Sequence, residues 1–404
     1  MAWHIPFVNT EDDCHRLTDF YSDSVMLRVS LDSIDAIRPA LSKKFPLWID
    51  PSVAGYHHIL TRISKPSKKT VGQKRAKTAW ENLIDKFQKK EILGNADFLK
   101  KPDDVDLKEF VTSVLDLCLE YKPNWITVPQ LPLVNDVSRN KVNRSLAKAT
   151  YEWKSGTTFE GKLVLPLIFT NQQQYKGKTE RNKRRSVIKN CYEAARASVI
   201  WAVDTSLSDR KGSGTFRRRF SNLIEFHKDL LKWFSKDTTI IAGPYWGMNL
   251  VLWARELCDY PAISLGSGYQ YHIPGPFYPA KGSDRVAIPP LRRSVVVDAE
   301  LRRWLTEALK RLDPKDSAYQ DISSLKEEFD LFLDRDLARN QVAKFYKQWF
   351  DELEAVPAAG RPLALYQVLS SAFVFGKKMP KLSRSEGSGG DPAIVAQQLM
   401  LNCF

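Results

Sequence analysis

Leu163-Val164-Leu165-Pro166-Leu167-Ile168-Phe169-Thr170 carries no charge and ends on the polar run Asn171-Gln172-Gln173-Gln174. A short apolar run bounded by polar residues reads as a buried strand rather than a core helix. The same pattern recurs on both sides of it. Upstream stand Leu47-Trp48-Ile49-Asp50-Pro51-Ser52 and Trp125-Ile126-Thr127-Val128-Pro129-Gln130. Downstream stand Val199-Ile200-Trp201-Ala202-Val203-Asp204, Thr239-Ile240-Ile241-Ala242-Gly243-Pro244 and Ala262-Ile263-Ser264-Leu265-Gly266-Ser267-Gly268. Most are separated by stretches with helical patterning. Strands alternating with helices imply parallel strands whose polar ends lie on one side. The expected fold is α/β, a TIM-like (β/α)8 barrel, and in such a barrel the site is built at those strand ends.

Around these runs the chain divides into four expected parts. Residues 1–23 read as an irregular N-terminal arm and 24–297 as the barrel. Residues 298–380 read as a helical region and 381–404 as a flexible linker and tail. Val25 to Leu31 alternates like a strand, and Ser33 to Leu41 reads as a short helix. Helices are expected over about Gln73–Lys90 and Leu107–Tyr121, the second stopped by Lys122-Pro123. Residues 269–292, rich in Tyr, Pro and Gly, read as a long loop, and Arg293–Val297 as a last strand. Leu325 to Val356 reads as one long helix or two. The run from Lys381 to Asp391 has linker composition, and the tail beyond it is apolar enough to dock.

At 404 residues and 43% apolar composition, the chain is long enough for one large α/β domain with an accessory region. No apolar run has the length of a bilayer span, and the N-terminus lacks the layout of a signal peptide, so a cytoplasmic protein is expected. The five cysteines are dispersed, and none pairs with a nearby His at zinc-ligand spacing. Cys118 and Cys191 read as core thiols. No metal or cofactor is expected. The net charge of +14 points to an acidic polymer, with nucleic acid, RNA or DNA, the commonest such partner.

Two strand-end carboxylates are the candidate catalytic groups. Asp50 is followed by Pro51, Gly55 and His57-His58, and Asp204 by Thr205, Ser206 and Asp209. Two carboxylates at one mouth can divide the roles of acid and of base or nucleophile. As caps of the turns that follow, they would be purely structural. Gln172 can read the hydrogen-bonding edge of a base. Gly243 and Gly266 allow close approach of a ligand, Tyr245 and Tyr269 can stack on a base, and His57 can reach the site. Basic runs at 64–78, 139–148, 176–189 and 210–219 are candidates for contact with a phosphate backbone. Lys68, Lys69, Arg181, Arg184, Arg185, Arg217 and Arg218 represent them.

The order of these motifs resembles the tRNA-guanine transglycosylases and their relatives that place deazaguanines in DNA. Ile49-Asp50-Pro51-Ser52-Val53-Ala54-Gly55 is similar to that family's strand-end Asp-Ser-Gly-Gly segment, where the aspartate contacts the base. Leu167 to Gln172 resembles the strand ending in a base-reading glutamine, and Ile241 to Leu250 the glycine-containing strand-loop-helix. The resemblance implies a TIM barrel that acts on a nucleobase or its N-glycosidic bond. Ser264 stands where that family places its nucleophilic aspartate, and the family's cysteine-rich zinc site has no counterpart. The alternative is therefore a catalytically inactive barrel that binds nucleic acid, or a protein partner through its C-terminal helical region and tail. A third reading is a hydrolase of a small phosphorylated or sugar substrate.

Overall fold

The computed structural model describes residues 4–8, 11–21, 25–31, 33–41, 44–54, 105–134, 137–205, 213–245, 247–264, 284–383 and 390–404. The helix expected at 73–90 lies outside them.

Eight strands close into a barrel in chain order. They are β1 (Ile5–Val8), β2 (Leu27–Ser30), β3 (Leu47–Asp50), β4 (Trp125–Thr127), β5 (Lys162–Phe169), β6 (Val199–Asp204), β7 (Thr239–Ala242) and β8 (Tyr260–Ser264). From β1 to β6 each pairs in parallel with the next. β5 and β6 are buried along almost their whole length, as strands covered on both faces must be.

Between the strands run helices α1 (Glu11–Phe20), α2 (Ile34–Ala40), α3 (Val105–Leu119), α4 (Val137–Ser155), α5 (Gly177–Ala195), α6 (Ser213–Trp233) and α7 (Met248–Ala254). The inward stripe of α3 shows why these segments are helical. Leu107, Phe110, Val111, Val114 and Cys118 recur at three- and four-residue spacing, and all are buried. Lys122 then turns into the left-handed region before Pro123 and ends the segment.

The N-terminal segment differs from expectation. The segment expected as an irregular arm contains two regular elements. Ile5–Val8 is the first barrel strand, with Phe7 opposite Arg28, and a helix follows it. Four buried residues among polar neighbours are too few to show a period. Pairing with β2 is what makes them a strand.

The chain divides into two compact units. One comprises Met1–Ser206, Asp229–Ile241 and Tyr271–Pro279, and the other Leu207–Lys228, Ala242–Gln270 and Ala280–Phe404. In the second unit β9 (Arg285–Ile288) and β10 (Arg293–Val296) form an antiparallel hairpin. The expected last strand is thus half of a hairpin outside the barrel. Part of the expected loop forms its first strand, and residues 269–283 lie outside the description.

Helices α8 (Ala299–Leu309), α9 (Ser317–Glu327), α10 (Arg335–Glu354), α11 (Arg361–Lys378) and α12 (Ile394–Met400) complete this unit. Asp298 caps α8 by accepting from Leu301 N, and Asp334 caps α10 by accepting from Asp336 N and Leu337 N. The Asp334 cap makes the segment from Leu325 to Val356 two helices rather than one. Val286, Ile288 and Val295 of the hairpin pack with Trp304, Ile322 and Phe329 in one core. In the tail, Ile394, Val395 and Leu399 of α12 are buried.

Candidate active site

Closure of the barrel brings Phe7, Arg28 and Trp48 into register on neighbouring strands. Their side chains point inward. Trp48 meets Trp201 edge-on at 5.2 Å between ring centroids, and Phe7 meets both tryptophans at 5.6 and 5.5 Å. The Arg28 guanidinium lies 4.9 Å from the Phe7 ring centroid and 5.5 Å from that of Trp201. The barrel floor is therefore aromatic, with one cation set against it.

Side chains two residues apart on a strand share a face. Ser30 and Asp50, also paired in register, thus stand one layer above Arg28 and Trp48, toward the strand ends. Asp50 is 3% exposed and ion-paired with Arg28. Its Oδ1 accepts from Ser52 N at 2.9 Å, and its Oδ2 accepts from Ser52 Oγ at 3.3 Å. Ser52 Oγ and Ser30 Oγ lie 2.7 Å apart in a further hydrogen bond. The local turn is an Asx turn. It holds Ser52 at φ 54°, a left-handed conformation that a non-glycine residue adopts at a cost and that concentrates at functional sites.

On β4, Thr127 Oγ1 accepts from Trp48 Nε1 at 2.8 Å. Beyond β4, Gln130 Nε2 donates to the Asn143 carbonyl at 2.8 Å, and Asn143 binds the Leu131 backbone in both directions. This ties the loop after β4 to α4. Asp50, Ser52, Thr127, Gln130, Pro166 and Ile168 are among the residues lining a cleft of about 10 Å³, room for about one water. Behind it, burial pushes the Cys118 thiol pKa well up, and the Asp50 charge adds to that rise.

Asp204 does not join Asp50. Trp201 points into the barrel, so Asp204, three residues further along β6, faces the opposite side of the sheet. It is fully buried, pairs in register with Phe169 and accepts a hydrogen bond from Tyr175 Oη. The Tyr175 ring packs edge-on against Phe169 at 4.9 Å. The expectation of two carboxylates at one mouth is corrected by strand alternation: Asp204 anchors the segment that leads into α5.

The other candidates divide. Gln172 lies in a 3-10 turn, and its side chain is outside the description. Within that turn Gln174 Oε1 accepts from the backbone of Thr170 and Asn171. Tyr245 is 1% exposed with its ring 6.1 Å from that of His227, so it is packed rather than free to stack on a base. Gly243 has φ 90°, and a Cβ there would lie 2.9 Å from Tyr245 N. Glycine is required there by the turn itself.

Arg181 and Arg184 are buried, not surface cations. Arg181 Nε donates to Asp229 at 2.6 Å, while Arg184 donates to the carbonyls of Val134 and Gln174. Burial lowers the Arg184 pKa against the raising effect of Glu180. Both sit on the inward stripe of α5 with Ile188, Cys191 and Ala195, which is why their charge is internal. Arg185, one residue off that stripe, is exposed. Arg217 and Arg218 lie on α6 with their side chains outside the description, as is that of Ser264 at the end of β8. His57, Lys68, Lys69, Gly266 and Tyr269 lie outside the described residues. Among the described residues, no group of three His, Cys, Asp or Glu is arranged to hold a metal.

Arg28, Ser30, Ser52 and Thr127 were not singled out by sequence reasoning. For Arg28 and Ser30 the signal was the alternation in Leu27-Arg28-Val29-Ser30, which places both polar residues on one face without saying that this face is the barrel interior.

No family model and no curated protein matches this sequence.

Proposed function

We propose that this TIM-barrel protein acts on nucleic acid, and that the cleft at the ends of β3, β4 and β5 receives the edge of a nucleobase, with Asp50 the carboxylate that contacts it. One observation carries the reading: Arg28 and Ser30 of β2, Asp50 of β3 and Ser52 just beyond it form a connected polar cluster inside the barrel, with Thr127 of β4 holding the neighbouring Trp48. A barrel interior is ordinarily filled by branched apolar side chains. A buried ion pair is weak evidence for stability, because an apolar replacement of similar volume is often as stable. A polar interior at the strand ends, beside a strained serine, is better accounted for by ligand recognition. The motif order shared with transglycosylases of guanine and deazaguanine makes exchange or release of a purine base the reaction to test.

The second reading is a non-catalytic barrel. The occupation of both Asp50 oxygens and the water-sized cleft favour it. The two readings separate on Asp50→Asn. Under the first, release or exchange of a radiolabelled purine base from tRNA or duplex DNA falls by at least about 100-fold, in line with losing a reacting carboxylate, while nucleic-acid affinity is nearly unchanged. Undiminished activity in the variant refutes the role of Asp50. A wild-type protein that binds nucleic acid and neither releases nor exchanges a base supports the second.

A further inference from the structure

Two neighbouring helices carry a large share of the positive charge of this chain. α4 and α5 together carry eleven Lys and Arg against three Glu, a net +8 of the chain's +14. Arg181 and Arg184 are internal, as described above. Lys141, Arg144 and Lys148 on α4, and Lys178 and Arg185 on α5, are exposed. The α4 residues, spaced three and four apart, form one outward stripe. Lys178 and Arg185, two turns apart, form a second. The helices pack together closely enough that Arg144 lowers the Cys191 thiol pKa, against the larger effect of burial, which carries it to about 12. Of the five cations, only Lys148 has an ion-pair partner among the described residues, Glu152 at 3.8 Å.

The helices that carry this surface also hold the loops around the cleft. Asn143, which holds Gln130 and Leu131, lies between Lys141 and Arg144 on α4. On α5, Arg184 holds the loops after β4 and β5 through Val134 and Gln174, and Arg185 is its neighbour. Each stripe therefore includes a residue, Arg144 or Arg185, next to one that holds the cleft or its adjoining loops.

We infer that the outer face of α4 and α5 is the docking surface for the sugar–phosphate backbone of a nucleic acid, positioned so that a base of the same strand reaches the cleft. The inference deepens the nucleic-acid reading above and rests on it. An anionic membrane is the less suitable polyanion. A helix lying on lipid presents large apolar side chains outward. Among the described residues of α4 and α5, Val137 alone is a large exposed apolar side chain.

The test is a salt titration of binding to a fluorescent tRNA and to duplex and single-stranded DNA. It compares the wild type with a variant carrying Lys141→Ala, Arg144→Ala, Lys148→Ala, Lys178→Ala and Arg185→Ala. Alanine at exposed helical positions preserves the helices, and a version with Lys and Arg interchanged keeps the charge. The alanine variant should bind about 100-fold or more weakly at 0.1 M salt, with the slope of log K against log salt shallower by about 4. The interchanged version should bind like the wild type. A wild-type protein that binds vesicles rich in phosphatidylserine but no nucleic acid overturns both this inference and the reading beneath it. Wild-type binding that the alanine variant retains, with the same slope, overturns the surface alone.

Discussion

Replacing Arg28 with Met should destabilise the protein far more than the loss of an exposed ion pair would. Arg28 is 1% exposed, and its partner Asp50 is 3% exposed. Without the guanidinium, Asp50 keeps only the backbone and hydroxyl donors of Ser52. A buried charge left without its partner costs about 3–5 kcal/mol. The two ring contacts of the guanidinium, to Phe7 and Trp201, are worth about 1 kcal/mol each, which the apolar Met side chain largely offsets. The net expectation is a loss of about 3–5 kcal/mol. In the double variant Arg28→Met/Asp50→Asn both charges are gone, and stability should return to within about 1–2 kcal/mol of wild type. Asp50→Asn alone leaves the buried Arg28 charge unpaired at a similar cost, so the cycle yields a coupling of at least about 4 kcal/mol. Urea unfolding followed by tryptophan fluorescence measures this, since Trp48 and Trp201 lie in the same layer as Arg28. An unchanged slope against urea would license comparison of the midpoints. A single variant that costs less than about 1 kcal/mol, or a double variant as damaged as the sum of the singles, would refute the account of a desolvated, mutually dependent pair.

Four further outcomes follow from other buried contacts. His227 is buried with its pKa lowered to about 4 from 6.5 by burial, partly opposed by its hydrogen bond with Leu257 O. The folded state therefore resists a proton that the unfolded state accepts. The stability this neutral ring contributes is complete above pH 6.5 and is lost as pH falls toward 4, a change of about 3 kcal/mol. His227→Gln should flatten that dependence in urea midpoints measured from pH 7.5 to 4.5, and a parallel pH dependence in both proteins would contradict it. Tyr175→Phe, which removes the phenolic donor to Asp204, should cost about 1–3 kcal/mol, whereas Asp204→Asn should leave base exchange within about threefold of wild type if that activity is found; loss of exchange in a folded Asp204→Asn protein would return Asp204 to the site. Gly376→Ala should loosen the tail, because a Cβ there would lie 2.8 Å from both N and Cα of Ala393, and overpacking of this kind costs about 1–3 kcal/mol. Faster proteolysis of the C-terminal residues measures the effect, and wild-type resistance would exclude a close contact.

The apolar runs ending at Asp50, Gln130, Asn171 and Asp204 were legible as strands because short buried strands have few alternatives in composition. Their spacing by helical segments was enough to read a parallel barrel. Asp50 was legible as a strand-end carboxylate. The pairing of Asp204 with it was not, because which face of β6 points inward depends on barrel closure. Arg181 and Arg184 belong to a basic run that reads as surface, and only the packing of α5 shows that its inward stripe passes through them.

The sequence by itself determined the fold class, the strand ends and the excess of positive charge, since apolar period, turn residues and composition are local properties of a chain. Only the tertiary structure decided that the N-terminal residues close the barrel, that Arg28 meets Asp50 across β2 and β3, that Asp204 faces away, and which cations of α4 and α5 are exposed. Each of these depends on which face of an element is buried against a partner distant in sequence.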